Sequence, residues 1–235
     1  MLMATATAIH SLYRIMKPYR VGIYGPSMTG KTTLDQYLTV PGDIDPIPIE
    51  FRTTHPKNYT HIGHGMPKTT RKQIRWERQK KSIATTDIAG QSQFRNMWIE
   101  DMFGRNVEVV IYMVDHRSLT SLQFTMDAVA GFEYLIDNIT KKSISTAISR
   151  KAKKQTKKYE PRVFCLLINK MDIWWDKDAE KLYNHNLLRE HQIAYPFRNG
   201  LKRLRKAGIR AEVMPISAQH GINVTKVFGD LIAEL

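Results

Sequence analysis

Hydrophobic and polar positions alternate in blocks along this chain, and the blocks differ in period. YRVGIYG, residues 19 to 25, is a β-rich run stopped by glycine, and GKTTLDQYL continues at helical spacing with Leu34 and Leu38 on one side. Strand, loop and helix are expected there. Residues 39 to 67 are rich in Pro, Gly, His and Thr, with PIPIEF as a candidate short strand, so a long connection is expected. QIRWER and KSIATTDIAG, separated by a short polar break, predict an antiparallel hairpin. VEVVIYMVD (107 to 115), RVFCLLINK (162 to 170) and AEVMPISA (211 to 218) read as strands buried on both faces of a parallel sheet. SLQFTMDAVAGFEYLIDNI (121 to 139) places Leu122, Met126, Val129, Phe132 and Ile136 at helical spacing. A helical region over 178 to 206 and a closing helix in INVTKVFGDLIAEL complete the pattern. The alternation predicts an α/β fold with a mostly parallel central sheet, helices on both faces and one antiparallel edge strand.

At 235 residues and 42% hydrophobic composition the chain has material for one well-buried domain. That domain is expected over 19 to 235, after a leader of residues 1 to 18. In the leader, Ile9, Leu12, Tyr13 and Met16 share one face of a short helix, either packed on the domain or touching a membrane. No apolar run approaches the roughly 20 residues that span a bilayer, and no signal-like stretch opens the chain. The single cysteine, Cys165, lies inside VFCLLI and reads as a core side chain. A cytosolic protein is expected, with peripheral membrane contact left open. The histidines lie in loops without Cys partners, and no zinc site is expected.

Charge adds a second layer. A formal net charge of +14 gives the molecule a field that attracts polyanions. Three stretches carry much of it, at 68 to 81, 141 to 158 and 198 to 210. The segment 141 to 158, part of an insertion running to about 160, holds eight Lys and Arg and no acid. It reads either as a solvated loop or as an exposed arm for RNA or an anionic membrane surface.

The chemistry concentrates in four short segments. GPSMTGKTT fits GxxxxGK[ST] at Gly25, Gly30, Lys31 and Thr32, between a predicted strand and a predicted helix. Converging amides over Gly25, Ser27, Met28, Thr29, Gly30, Lys31, Thr32 and Thr33, at the positive end of a helix, would hold a phosphate chain. Lys31 would reach the outer phosphates, and the Thr32 hydroxyl would join the shell of Mg²⁺. In DIAGQ, Asp87 would hold Mg²⁺ through water, Gly90 would offer its amide to a terminal phosphate, and Gln91 would orient an attacking water.

The base is read elsewhere. In NKMD, Asp172 can accept from both N–H donors on the Watson–Crick edge of guanine, which adenine lacks. Asn169 can bond the imidazole edge of the base or tie neighbouring loops, and the stem of Lys170 can lie over the ring. In SAQ (Ser217, Ala218, Gln219), the Ala218 amide would donate to the guanine O6 oxygen. Each segment follows a predicted central strand, where open α/β sheets bind ligands.

In this order GPSMTGKT, DIAGQ, NKMD and SAQ resemble the motifs of small GTPases of the Ras superfamily, over residues 19 to 235. GQSQFRNMW, with Gln91, Arg95 and Trp98, is similar to the Arf and Sar branch in the second switch. The resemblance implies the three-layer P-loop NTPase fold. It also implies a molecular switch that binds GTP and GDP with Mg²⁺, hydrolyses GTP slowly without a partner, and works through a protein effector and regulators. A switch I threonine on Mg²⁺ is implied too, with Thr69 or Thr70 at the Arf-like spacing and Thr53, Thr54 and Thr60 further off. Arg52 and Arg71 are candidates for a charge supplied in cis. Ser27 and Met28 stand where Ras has glycine, and neither a CaaX cysteine nor a glycine at position 2 is present for a lipid anchor. The competing readings are a guanine-nucleotide module that acts through its basic surface with little hydrolysis, and a P-loop kinase or ATPase.

Overall fold

The computed structural model of the chain describes residues 19–39, 57–62, 82–149 and 161–233. The leader, the PIPIEF and QIRWER segments, Thr69 and Thr70 lie outside these residues. Six strands form one sheet: β1 (Tyr19–Tyr24), β2 (Lys57–Ile62), β3 (Ser82–Asp87), β4 (Val109–Val114), β5 (Val163–Ile168) and β6 (Arg210–Pro215). Their order is β2-β3-β1-β4-β5-β6, parallel throughout except that β2 runs antiparallel to β3. The longer helices are α1 (Lys31–Thr39), α2 (Arg95–Gly104), α3 (Leu122–Ser149), α4 (Lys177–Asn184), α5 (Arg198–Lys206) and α6 (Val224–Ala233).

Strand alternation sorts the apolar side chains into two cores, because successive residues point to opposite faces. Tyr24, Val110, Tyr112, Val114, Phe164, Leu166 and Ile168 pack with α2, α3 and α5. Val21, Ile23, Val109, Ile111, Met113, Cys165 and Leu167 pack with α1 and α6 on the other side. The result is three layers, and β4 and β5 are buried over their whole lengths. Cys165 is a core residue as expected, and burial pushes its thiol pKa up.

The structure corrects three expectations. The antiparallel partner of β3 is KNYTHI, inside the stretch read as a long connection, in a register that runs from Lys57 opposite Asp87 to Ile62 opposite Ser82. Its pairing comes from backbone hydrogen bonds to the sheet edge, which leave little mark on hydrophobic period. The helix expected to end near 139 continues to Ser149, so the first residues of the basic insertion are helical. Leu122 and Met126 are 77% and 60% exposed, although Phe132 and Ile136 are buried as expected. The stripe facing the core starts instead at half-buried Phe124 and buried Ala128, whose carbonyl accepts from the Tyr112 hydroxyl at 2.7 Å.

Phe132 is the hinge of the larger core. Its ring meets Tyr112, Phe164 and Phe197 edge-on, at centroid separations of 5.3, 5.5 and 5.1 Å. Phe132→Ala is expected to lower unfolding free energy by about 3–5 kcal/mol in urea denaturation. A loss under about 1 kcal/mol would show that the layer does not depend on this ring.

Candidate functional site

Parallel strands all finish at one edge of the sheet, so the segments after β1, β3, β5 and β6 are delivered to the same place. Asn169 joins two of them. Its side-chain amide donates to the Thr29 carbonyl at 2.8 Å and accepts from the Ala218 amide at 2.8 Å. The Trp174 indole, in the short helix Met171–Trp174, donates to the Asn169 carbonyl at 2.9 Å. Asn169 is thereby fixed at both its main chain and its side chain, and it ties loops in one of the two ways its sequence position suggested.

Glycine is required where these loops touch. A Cβ at Gly30, whose φ is +93°, would lie 2.3 Å from the Asn169 amide nitrogen. One at Gly90 would lie 2.5 Å from the Lys31 ammonium and from the backbone of Pro26 and Ser27. The segment after β3 therefore rests directly on the loop after β1. Met28, by contrast, takes a left-handed φ of 62° with a side chain, and is 45% exposed. Ser27 and Thr33 are half-buried, and Thr29 is buried with its hydroxyl donating to the Pro26 carbonyl at 3.0 Å.

Lys31 opens α1 and its ammonium donates to the Gly25 and Pro26 carbonyls at 2.9 and 2.8 Å. Burial lowers its pKa to about 8, against the opposing pull of Asp87. A buried ammonium that is reluctant to stay charged gains from any anion brought beside it. Thr32, next in the helix, donates its hydroxyl to Asp87 Oδ2 at 2.7 Å. This hydroxyl and carboxylate are oxygen groups of the kind that could hold a hard divalent cation such as Mg²⁺. Among the described residues no cluster of three or more His, Cys, Asp or Glu could hold a metal unaided.

The segment after Asp87 is held from the core. Trp98 of α2 donates its indole N–H to the Ala89 carbonyl at 2.9 Å, which turns the Gly90 amide to the opposite side of the trans peptide. Arg95 pairs with Asp127. Gln91 precedes the turn Ser92–Phe94 and is half-buried, and its side-chain carbonyl has no hydrogen-bond partner among the described residues. Asp172 is exposed in the first turn of Met171–Trp174, and Gln219 is half-buried.

One assignment changes. The Ala218 amide, expected on a guanine oxygen, donates to Asn169, because a residue 1% exposed must have its N–H paired inside the protein. Ser217 is buried beside it, and its amide donates to the Ile222 carbonyl at 3.0 Å. The Lys170 ammonium sits 2.8 Å from Asp115 Oδ2, an ion pair made by its charged end and not by the aliphatic stem expected over a base. Lys170 itself has a left-handed φ of 58°.

Sequence reading missed Asp115 and Arg117. Asp115 is fully buried where β4 ends, and Arg117 Nε donates to both its oxygens at 2.9 and 3.1 Å. Burial would raise the Asp115 pKa, but hydrogen bonds from Arg117 and Lys170 outweigh it and hold the pKa below its usual value. The available signal was an aspartate closing an unbroken apolar strand, a placement that demands a partner.

Asn169→Ala should leave the Thr29 carbonyl and the Ala218 amide without their partner, at a cost of about 1–3 kcal/mol for each buried group. Thermal or urea unfolding would show it. A variant as stable as the parent would mean that water replaces both bonds.

No protein-family model matches this sequence, and no curated protein matches it.

Proposed function

We propose that the chain is a GTP hydrolase of the P-loop type, a switch with Mg²⁺ as cofactor. One observation carries the reading. The Lys31 ammonium, the Thr32 and Asp87 oxygen pair and the Gly90 contact sit around one loop, and Asn169 ties that loop to the segment bearing exposed Asp172. A phosphate chain laid on loop 25–30 would meet Lys31 and the first amides of α1, which have no helical partner. The purine would then reach toward Asp172, whose carboxylate matches the two donors of guanine. This assignment favours guanine over adenine.

In the proposed reaction Gln91 accepts a hydrogen bond from the attacking water and the Gly90 amide steadies a terminal phosphate oxygen. The water oxygen bonds to the terminal phosphorus as the bond to the leaving oxygen breaks, the water's proton passes to a phosphate oxygen, and the Lys31 ammonium stabilises the negative charge that builds on the leaving oxygen. Positioning and fixed electrostatics supply most of the acceleration in phosphoryl transfer. Mg²⁺, bound through Thr32 and Asp87, would supply charge neutralisation on the phosphates. With no arginine finger assigned, turnover alone should be on the order of 10⁻⁴ to 10⁻² per second.

Three measurements test this. Gln91→Leu should keep GTP affinity and lower phosphate release by about one to two orders of magnitude. Hydrolysis at the parent rate would remove Gln91 from the reaction. Asp172→Asn should weaken GTP and relax discrimination toward xanthosine triphosphate, whereas ATP winning a competition in the parent protein would overturn the guanine assignment.

The third concerns pH. A bound phosphate raises the Lys31 pKa above its free value of about 8. GDP affinity should then be level below pH about 8 and fall above it, by up to about tenfold per pH unit. Calorimetry across that range gives the sign, and an affinity that rose with pH would contradict a charged Lys31 at the phosphates.

A further inference from the structure

Three consecutive carbonyls of the loop after β1 are held by groups from other elements. Asn169 donates to the Thr29 carbonyl at 2.8 Å, Lys170 reaches the Met28 carbonyl at 3.4 Å, and Arg117 Nη2 donates to the Ser27 carbonyl at 3.0 Å. In a trans peptide the carbonyl and the following N–H point in opposite directions. Capturing carbonyls 27, 28 and 29 therefore turns amides 28, 29 and 30 to the other side of the loop, as a run of donors that an anion can meet together. Lys31 takes the remaining carbonyls, Gly25 and Pro26. Every carbonyl from 25 to 29 thus has a cation or an amide on it.

Arg117 stands out because it belongs to none of the four motif segments. It lies in the short helix Arg117–Thr120 directly after β4, and its position is fixed from two directions. Asp115 grips Nε through both oxygens and also accepts from the Arg117 amide at 3.0 Å. The guanidinium carbon lies 4.2 Å above the Phe124 ring, at the start of α3. Asp115 simultaneously pairs with Lys170, so one buried carboxylate orients the two cations that hold neighbouring carbonyls. Met28 needs such holding, since its left-handed φ is a conformation that a residue with a side chain adopts at a cost.

We propose that Arg117, anchored by Asp115, is a positioning residue of the phosphate site, fixing the Ser27–Met28 peptide so that the Met28 amide faces the bound phosphates. The proposal rests on loop 25–30 being that site. Arg117 itself touches no substrate; it acts through one peptide plane. Its loss should weaken ligands that use the phosphate loop and leave recognition of the base unchanged.

The test uses the full chain with Mg²⁺, comparing the parent, Arg117→Lys and Arg117→Met. Methionine keeps an unbranched stem over Phe124 and removes every donor, whereas lysine keeps the charge and can still reach a carbonyl. Arg117→Met should bind GDP about ten- to a hundredfold more weakly, the range of one hydrogen bond to a charged group. The ratio of GDP to xanthosine diphosphate affinity should stay at the parent value, and Arg117→Lys should recover most of the loss. The Met28 amide proton, followed by NMR, should move downfield on GDP addition in the parent and in Arg117→Lys but much less in Arg117→Met. A purely structural role would alter stability without moving that one signal selectively.

Arg117→Met matching the parent in GDP affinity and in the Met28 shift would overturn the proposal while leaving the nucleotide reading intact. A folded parent that takes up neither GDP nor GTP would overturn the nucleotide reading itself, and the proposal with it. If Arg117→Met does not fold, Arg117→Gln takes its place, with the same Met28 signal deciding.

Discussion

The parallel pairing of β1 between β3 and β4 is the constraint from which the rest of this architecture follows. Parallel strands must return by crossovers, so each one presents its C-terminal end at the same edge. Registers such as Ile23 opposite Asp87 and opposite Ile111 set how far each strand projects there. Loop 25–30, the turn at 87–91 and Asn169 meet because the strands behind them are in step. The fully buried character of β4 and β5 makes that register hard to slip, since a one-residue shift would exchange the two cores.

The edge so formed is dense in groups that resist burial. Lys31, Asp87, Asp115 and Asn169 are all largely inaccessible, and each has a fixed polar partner at this edge of the sheet. Burying a charge is tolerable when partners are fixed around it. Here the partners are main-chain carbonyls and one central carboxylate. The same contacts that lower the cost of burial also hold the backbone stiff, which is what a binding loop requires if it is to meet a ligand without rearranging.

Stiffness also explains the unusual conformations nearby. Met28 and Lys170 both have positive φ although neither is glycine, and their contact at 3.4 Å links the two strained positions. Backbone of this kind persists only where surroundings over-determine it. The Asp115 network and the Asn169 bonds supply that over-determination, and they lie at the edge to which the proposed chemistry is assigned.

Much of this was legible in the linear pattern. Buried parallel strands announce themselves as apolar runs, so β4 and β5 could be placed by inspection, and Gly25 and Gly30 stood out because a tight turn between strand and helix favours that residue type. What could not be read was anything decided by partners distant along the chain. KNYTHI is a strand because the open edge of β3 offers hydrogen bonds, and Leu122 lies outside the core because the face of α3 that meets the sheet is the one bearing Ala128, Phe132 and Ile136. The Ala218 amide turned to Asn169, and Asp115 gathered Arg117 and Lys170, for the same reason. Sequence determined which segments would be buried and which residue types would stand at strand ends, since local period and turn chemistry are short-range. Only the tertiary structure decided which carbonyl, amide or charge each of those residues would hold, because a buried polar group takes whichever partner the packing brings within reach.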